Sequence, residues 1–586
     1  MKPIQRNLQV CVIACCVTLS SVFAADLSRP AANIPKLSEI PIQQHQLALF
    51  IQRFQADLAS TEHTFDINAG PQREAALRRL YQGWLARLGE FNYAKLALED
   101  QVDYALLKRE LNYRLSQLDF ERKRTDQALQ LLPGIAPLID LAEQRRALLP
   151  LQAEQAKNLI SNATEALQKN QKVLAKQAGI SPIVALRAAK LLQVFRDDFK
   201  DWHTFYNGYD PRYSASISKP YEALDKVLDS YAQFLRNDLA GAKNPETIIG
   251  DPIGRDALEA ALRYEMIPYS PEQIVQLAER ELAWCQIEMN KAATAMGFVD
   301  WHQALEKIKQ DGPALGEQPQ YAKQLAEEAV VFIEQRQLVT VPELAKRDWR
   351  MTMLSPEYQL QAPFFLGGED VWVAYPHNSM PADKQAMTLR GNNRYFSRAV
   401  VHHELIPGHH LQHFYNARYN SHRQLFDTPF WGEGWALYWE FLLYDKGFAK
   451  TPEQKLGMLF WRSHRAARIL FSLSFHSNTM TPQQAIDMLV TRVGHERENA
   501  AAEVRRSFAG DYSPIYQAAY MLGGLQFWAL RQELVESGKM TDREFHDSIL
   551  KAGPMPVSVV RSRLTGQSPK PDLPAEWRFY PALNQK

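Results

Sequence analysis

Apolar residues recur every three or four positions along most of this chain, with charged residues between them. This period is typical of amphipathic helices. It predicts helices over 72–88, 93–121, 149–178, 181–206, 270–296 and 319–337. Pro133, Pro137 and Pro150 interrupt the pattern, and we expect helices to end at these positions.

Two stretches lack the helical period. Residues 240–255 contain repeated Gly, Pro and Asn and are typical of a linker. Residues 371–375, Val-Trp-Val-Ala-Tyr, favour β structure and predict a short strand. Helical periodicity then holds, with breaks, from Asn393 to about Gly538. We therefore expect a mostly α protein with one small β element.

Length and charge narrow the possible classes. The 586 residues suffice for several domains, and we expect an N-terminal helical region over 25–250 and a second region over 251–586. Lys plus Arg number 67 and Asp plus Glu number 66. This balance leaves no basic field that would hold nucleic acid, so we expect no nucleic-acid partner.

The N-terminus carries an export signal. Two basic residues precede an apolar run over 8–24, and Val-Phe-Ala supplies small residues for cleavage before Ala25. This pattern predicts a signal peptide over 1–24 and no integral membrane span. As an alternative, the Val-Ile-Ala-Cys sequence ending at Cys15 resembles a bacterial lipobox, which would place a lipid anchor on Cys15. We expect a periplasmic or secreted protein, or a lipoprotein that faces the periplasm.

Cysteine usage limits the kind of metal site. Three of the four cysteines lie in the leader, so only Cys285 remains in the predicted mature chain. One cysteine can form neither an internal disulfide nor a cysteine-rich structural zinc site. Any metal must therefore bind to histidine and carboxylate side chains.

Five of the fifteen histidines fall between His402 and His413. Within this stretch the chain reads His-Glu-x-x-Pro-Gly-His, beginning at His403. The familiar zinc helix reads His-Glu-x-x-His, because residues four apart lie on one face and reach one ion. The glutamate after the first histidine then acts as the base toward metal-bound water, and Glu404 holds this position here.

The second histidine ligand depends on a distortion of the helix. His409 follows His403 by six residues, which on an ideal helix is about 120° away from it. Pro407 cannot donate a backbone hydrogen bond, and Gly408 adds backbone freedom, so we expect a kink or bulge inside the helix. A bulge that absorbs two residues would bring His409 to the metal, with His410 as the alternative ligand.

Downstream segments supply candidates for the remaining roles. We expect Glu433, flanked by Gly432 and Gly434, to be the third ligand, and Glu440 to orient a ligand histidine. Tyr520 is the candidate phenol donor to the oxyanion.

Four further residues are weaker candidates. His476 is a candidate imidazole partner for that donor. Arg497, Arg505 and Arg506 offer a clamp for a peptide carboxylate. The alternative for the arginines is surface pairing with the neighbouring glutamates.

At these residues the chain resembles the bacterial domain-of-unknown-function family 885 (DUF885), whose hallmark is His-Glu-x-x-Pro-Gly-His-His and which is grouped with gluzincin-like zinc peptidases. The resemblance covers about residues 40–575. Besides the histidine motif it rests on Pro252-x-Gly254, Gly434-Trp-Ala-x-Tyr-x-Glu440, Arg468…His476 and Tyr520-x-x-Gly523. Ser472 stands where the family often has Asp, which argues against an orienting acid at that position.

The resemblance implies one domain over about 40–575, built as a two-lobed helical body around a deep cleft, similar to oligopeptidases and angiotensin-converting-enzyme-like dipeptidases. It also implies one Zn²⁺ per chain and a peptide substrate, and it strengthens the assignment of Tyr520. Such clefts admit short or unfolded peptides. The strand over 371–375 would align the substrate backbone by β-addition.

We therefore expect zinc-dependent hydrolysis of peptide bonds by metal-activated water, with Glu404 as general base. Two alternatives stay open: a non-catalytic helical protein that binds peptide or metal, and a zinc amidohydrolase of non-peptide amides. A serine or cysteine hydrolase is disfavoured, because the chain has no Gly-x-Ser-x-Gly motif and Cys285 lies in a plain helical context. Endopeptidase and exopeptidase action both remain open, as does the oligomeric state.

Overall fold

The computed structural model describes residues 45–244, 247–359, 362, 364–365, 367–368, 370–509 and 512–583. Within these ranges the protein is mostly helical, which confirms the predicted fold class. The helices before residue 244 are α1 Gln46–Thr64, α2 Pro71–Leu88, α3 Leu98–Leu129, α4 Ile135–Arg146, α5 Ala153–Leu174, α6 Pro182–Tyr206, α7 Pro211–Ser216 and α8 Ser218–Phe234.

The second part of the chain continues this helical pattern around two short strands. Its elements are α9 Arg255–Tyr264, α10 Pro271–Ala295, α11 Trp301–Lys309, α12 Gln318–Gln335, β1 Arg350–Met353, α13 Pro356–Gln359, β2 Asp370–Val373, α14 Ala382–Gly391, α15 Arg394–Glu404, α16 His409–Asn416, α17 Pro429–Asp445, α18 Pro452–His476, α19 Pro482–Met488, α20 Arg497–Phe508, α21 Tyr516–Arg531, α22 Asp542–Ala552 and α23 Val557–Leu564.

Proline residues begin helices as well as separating them. α6 begins at Pro182, where the Ser181 hydroxyl caps the first turn. Pro133 and Pro150 lie between helices, as predicted. The prediction that a helix ends at Pro137 is wrong, because this residue lies in the first turn of α4. A proline there removes no intrahelical hydrogen bond, since the first N–H groups of a helix have no partner within it.

The hydrophobic core joins the two predicted regions. One cluster of buried side chains is confined to the N-terminal part, from Ile67 to Leu235. A larger cluster begins at Leu47, includes the first half of α3 through Leu111, and extends to Leu573. α1, α2 and the start of α3 therefore pack against the second region, and residue 250 is not a boundary between separate cores.

The two strands form a small parallel sheet. Arg350 lies opposite Asp370, and Met353 lies opposite Val373. The strand predicted over 371–375 is confirmed as far as Val373. Its partner β1 was not predicted, because Arg-Met-Thr-Met lacks the run of β-branched and aromatic residues that marks β2.

The predicted signal peptide and Cys15 lie outside the described residues. In the part of the chain that the structure does describe, no helix has the length and apolar character needed to cross a bilayer.

Candidate metal centre

The histidine motif forms the end of one helix and the start of the next. The Asn393 side chain begins α15 by accepting hydrogen bonds from the backbone N–H groups of Tyr395 and Phe396, each at 3.0 Å. α15 ends at Glu404, and α16 begins at His409. The predicted bulge within a continuous helix is therefore replaced by a complete break over residues 405–408.

Pro407 and Gly408 explain the break. Pro407 has no N–H to continue the ladder, and a Cβ at Gly408 would overlap the His403 carbonyl oxygen. The Gly408 N–H instead donates to the His402 carbonyl at 3.1 Å. The Trp435 indole N–H donates to the Pro407 carbonyl at 2.8 Å and fixes the turn against α17.

This turn places His409, rather than His410, beside His403. The imidazole centroids of His403 and His409 lie 4.9 Å apart. His410 is buried elsewhere, where its Nε2 lies 2.7 Å from the Ala345 carbonyl oxygen and 2.9 Å from Asp348. The geometry therefore favours His409 over the alternative.

α17 brings two carboxylates to these histidines. The Thr428 hydroxyl caps α17 by accepting from the Phe430 N–H at 3.2 Å. Five residues later Glu433 faces the motif, and Glu440 follows two turns further on. Close packing against α21 holds the helix in place, because a Cβ at Gly434 would lie 2.6 Å from the Gly523 Cα. Gly434 is thus the point of close approach between α17 and α21.

The side-chain atoms of His403, His409 and Glu433 converge on one point. Glu433 Oε2 lies 3.3 Å from His403 Nε2 and 3.1 Å from His409 Nε2. Two ligand atoms bound to one tetrahedral zinc ion at 2.0–2.1 Å are about 3.3–3.4 Å apart. The donor types and their separations therefore fit a zinc site.

Glu404 also lies close to this group. One ligand atom each from His403, Glu404 and His409 falls within a mutual distance of 4.8 Å. Two carboxylates are thus near the same point. We assign the ligand position to Glu433, because its Oε2 contacts both histidine nitrogens while the Tyr516 hydroxyl donates to its other oxygen.

Hydrogen bonding of His403 orients its second nitrogen toward Glu433. His403 Nδ1 lies 2.7 Å from Glu440 Oε1, so the N–H is placed on Nδ1 and the Nε2 lone pair is left for a cation. Burial opposes protonation of His403, but the hydrogen bonds to Glu433 and Glu440 outweigh burial and raise its pKa to about 9. Burial likewise favours the neutral form of Glu433, yet the adjacent histidines hold its pKa well below the usual value. Both shifts show that a positive charge is favoured between these side chains.

Glu404 is in a different electrostatic setting. Burial raises the pKa of Glu404. None of the described residues donates a hydrogen bond to its carboxylate. Gly367 approaches so closely that a Cβ there would collide with Glu404. Glu404 is therefore a buried, poorly solvated carboxylate next to the ligand cluster.

The cluster opens into a cavity of about 450 Å³. Beyond the ligands, its lining contains aromatic and basic side chains: Phe364, Phe365, Tyr512, Tyr516, Tyr520, Arg465, Arg468 and Arg506. The Tyr520 ring lies 6.1 Å from the His403 ring, and burial raises its phenol pKa, so Tyr520 is a proton-carrying donor at the site. No residue of β2 lines the cavity; the segment just before this strand does.

Sequence reasoning missed Tyr516 and Arg465, and it reached Arg468 only as the first residue of the Arg468…His476 segment of the family resemblance. Tyr512, Tyr516 and Tyr520 recur every four residues, and this spacing was an available signal that all three face one way. On apolar helices, however, such a series is equally typical of a core. Arg465 lies three residues before the Arg468…His476 segment.

Other predicted residues lie elsewhere. The structure does not bring His476 into the cavity: it ends α18, and its carbonyl accepts from the Gly254 N–H at 3.1 Å. Burial lowers the pKa of His476 to about 4. Ser472 donates to the Pro514 carbonyl at 3.2 Å and so anchors the chain before α21.

The three arginines of the predicted clamp separate. Arg497 pairs with Asp487 at 2.6 Å on the surface, while Arg506 lines the cavity. Arg505 is half-buried and does not line it. The neighbouring glutamates also lie in different places. Glu498 pairs with Lys384 at the surface, and Glu503 is fully buried beside Arg468.

Comparison with known proteins identifies relatives without a described activity. The family model for bacterial proteins of unknown function, DUF885, matches residues 55–564. A predicted lipoprotein of unknown function from Shewanella oneidensis shares the fold with a TM-score of 0.65 and 17% identity, over 89% of this chain and 100% of that one. A predicted lipoprotein from Colwellia psychrerythraea aligns with a TM-score of 0.57 and 17% identity, over 89% and 98% of the two chains. No protein with a curated description matches this chain.

Proposed function

We propose that this chain, which belongs to the family of bacterial proteins of unknown function DUF885, is a zinc-dependent hydrolase of peptide bonds. The observation that carries the proposal is the convergence of two imidazole nitrogens and one carboxylate oxygen. His403, His409 and Glu433 contribute these atoms, and Glu404 stands beside them. Three protein ligands with an adjacent carboxylate are the arrangement of catalytic rather than structural zinc sites.

His403, His409 and Glu433 would hold one zinc ion per chain. A zinc ion bound there supplies Lewis acidity toward a substrate carbonyl and makes water more acidic. Glu440 fixes the tautomer and orientation of His403 through the hydrogen bond at Nδ1. The Tyr516 hydroxyl donates a hydrogen bond to Glu433 and so fixes the orientation of this carboxylate.

Glu404 is proposed to carry the proton. Its carboxylate takes a proton from the attacking water and passes it to the nitrogen of the leaving amine. Burial raises its pKa toward the range in which one group serves both as base and as acid. The absence of a donor on Glu404 among the described residues leaves its oxygens available for water.

Tyr520 is the proposed donor to the oxygen of the attacked carbonyl. Its ring lies beside His403, and burial keeps the phenol protonated. A preorganised donor at that point stabilises the negative charge that develops in the transition state. The cavity of about 450 Å³ is the size of a small-ligand site and supports a short or unfolded peptide as the substrate.

A periplasmic location is part of this proposal. The leader sequence and the two structurally similar predicted lipoproteins support export, with or without a lipid on Cys15. Mass spectrometry of the mature N-terminus distinguishes the two forms. A chain that begins at Ala25 supports the signal peptide, a lipidated Cys15 supports the anchor, and an unprocessed Met1 contradicts both.

Glu404→Gln provides the direct test. We expect purified protein to contain about one zinc per chain and to cleave a quenched peptide library until a chelator is added. Glu404→Gln should keep the metal but lower kcat/KM by about 10²- to 10⁴-fold, because the proton carrier is lost.

Glu498→Gln is the matched control, since Glu498 is an exposed residue paired with Lys384 and should leave activity unchanged. Unaltered cleavage by Glu404→Gln would show that the proposed mechanism is wrong. Zinc without cleavage in the unmodified protein would instead support a non-catalytic binding protein.

A further inference from the structure

A cluster of three arginines forms one wall of the cavity. Arg465 and Arg468 lie one helical turn apart on α18, and Arg506 comes from α20. Arg465 and Arg468 are only 5% and 2% exposed. Burying guanidinium groups is costly unless anions compensate them, so the partners of this arginine cluster decide what it can bind.

Two carboxylates pair with this arginine cluster. Glu503 lies 2.7 Å from Arg468 Nε and 3.9 Å from Arg506 Nε. Arg465 lies 3.7 Å from Glu440, which already accepts the hydrogen bond from His403. Within the described ranges no other carboxylate pairs with the three arginines.

The nearby histidines are uncharged and leave the charge balance of the arginine cluster unchanged. His464 and His495 lie beside the arginine cluster, and burial lowers both pKa values, that of His495 to about 3. Both imidazoles are therefore neutral. Two paired carboxylates, Glu503 and Glu440, thus serve three cations. Glu433 and Glu404 act on Arg468 and Arg465 at longer range and belong to the candidate metal centre.

All three guanidinium groups also retain unused donors. Arg465 Nε, Arg468 Nη1 and Arg506 Nε are buried and have no hydrogen-bond partner. One oxygen each of Glu503 and Glu440 is likewise without a partner, but neither lies within hydrogen-bond distance of these donors. Buried polar groups in proteins are nearly always hydrogen-bonded, so orphaned donors in the wall of a cavity indicate a missing acceptor. A carboxylate offers two acceptor oxygens and matches the planar guanidinium group.

Tyr520 links the arginine cluster to the candidate metal centre. Its ring centroid lies 4.4 Å from the Arg468 Cζ, 4.6 Å from the Arg465 Cζ and 6.1 Å from the His403 ring. A peptide advances at most about 3.3–3.6 Å per residue. A carboxylate at the arginine cluster is thus within about one to three residues of a carbonyl at the metal centre.

We infer that Arg465, Arg468 and Arg506 bind the C-terminal carboxylate of the substrate peptide. The enzyme would then cleave a short fragment from the C-terminus of that peptide. This inference rests on the proposed function for the cleavage, but the carboxylate site can be tested without it. An acidic side chain carries the same chemistry, and the experiment separates the two sources.

Binding is measured by calorimetry on zinc-loaded Glu404→Gln protein with three N-acetylated hexapeptides. The first has a free C-terminus, the second a C-terminal amide, and the third an amide with glutamate as its last residue. We expect the free acid to bind about 10- to 100-fold more tightly than either amide. Arg506→Gln and Arg468→Gln should each bring this ratio toward one.

Arg497→Gln is the matched control, because Arg497 lies on α20 with Arg506 but is 61% exposed and pairs with Asp487. It should leave the ratio unchanged. Arg468→Gln removes the main partner of buried Glu503 and is therefore accepted only if its Tm matches the parent. Arg506→Gln is held to the same Tm criterion, because the Arg506 side chain is only 11% exposed. It provides the second variant because its Nε lies 3.9 Å from Glu503 and it is therefore not the main partner of that carboxylate.

Three results would overturn the inference. Equal binding of acid and amide excludes a carboxylate site, and a ratio unaffected by both arginine substitutions places the carboxylate elsewhere. Tight binding of the glutamate amide assigns the site to an acidic side chain instead of the C-terminus. If the unmodified protein cleaves nothing while the ratio persists, the proposed function fails and the carboxylate site stands.

Discussion

Among the described residues, two of the buried clusters of histidine and carboxylate differ in how completely their hydrogen-bonding groups are paired. In the first, which we call the Asp103 cluster, Asp103 accepts from His422 at 2.8 Å and from Arg423 at 2.6 Å. Arg423 also donates to the Ala552 carbonyl and to Glu99, each at 2.8 Å. Every carboxylate oxygen of Asp103 thus has a donor.

The candidate metal centre is the opposite case. A single oxygen of Glu433 faces two imidazole nitrogens, and Glu404 has no donor among the described residues. The Asp103 cluster lines none of the cavity beside His403. Equal burial and similar residue types therefore do not identify a functional site. What distinguishes the metal centre is the capacity for a charge that the protein itself does not supply.

The largest expected difference concerns the two adjacent histidines of the motif. His409→Ala removes a proposed ligand, so the zinc content should fall from about one per chain to near zero, with loss of all cleavage. His410→Ala removes a contact with the Ala345 carbonyl and should leave zinc bound. Elemental analysis of both purified variants measures this difference.

Asp103→Ala serves as the control, because it disrupts the other cluster and should leave the zinc content intact. If His410→Ala empties the site while His409→Ala does not, our ligand assignment is reversed. Loss of zinc in Asp103→Ala would show that the two clusters are coupled rather than independent.

The sequence predicts the helices well because their spacing is a local property. α6 and α10 begin and end within one residue of their predicted bounds, since a serine cap followed by proline marks each start. The short strand β1 gave no such signal. The packing of α1–α3 against the second region does not follow from the helical periodicity, because it depends on contacts such as Arg423 with Asp103 that are more than 300 residues apart. Only the family resemblance implied a single domain.

The candidate site was predictable where its chemistry is local. The motif identified His403 and Glu404 directly. Pro407 with Gly408 indicated a kink or bulge before His409, where the structure has a complete break between two helices. The arginine cluster was predicted only in part: Arg506 was a candidate for a carboxylate clamp, but its partners Arg465 and Arg468 come from another helix and were not linked to it. His476 was predicted to assist the oxyanion donor. It lies at the end of α18 and does not line the cavity, so it cannot take this role.

The next largest effect is on stability and should arise at the Asp103 cluster. Asp103→Ala leaves Arg423 and His422 buried with one carboxylate fewer, which should lower the free energy of unfolding by about 3–5 kcal/mol. Glu279→Ala breaks an exposed pair with Arg492 and should cost less than about 1 kcal/mol. Urea titration measures both values on metal-free protein, and equal losses would contradict the distinction between satisfied and exposed pairs.

The smallest effect is the pH dependence of zinc binding at the candidate metal centre. In metal-free protein the pKa of His403 is raised to about 9 by hydrogen bonds that outweigh its burial. Zinc must displace this proton at pH 7, so the apparent affinity should rise about tenfold per pH unit from 7 to 9 and level off above 9. The free energy of unfolding of the metal-free protein changes in the opposite direction. Protonated His403 contributes its full stabilisation below pH 6.5, and this contribution is lost as pH rises through 9. The Tm increase that zinc causes should therefore grow over the same window.

Glu440→Gln sharpens this pH experiment. Removing the carboxylate that bonds His403 Nδ1 lowers the pKa of His403, so the point at which affinity levels off should move to lower pH. Competition against a chelator of known zinc affinity, corrected for the protonation of the chelator, measures both curves. A zinc affinity that is constant between pH 7 and 9 would mean that no proton is held between His403 and its carboxylates. In that case the metal centre would be as fully satisfied in the metal-free protein as the Asp103 cluster is, and the contrast between the two would lose its physical basis.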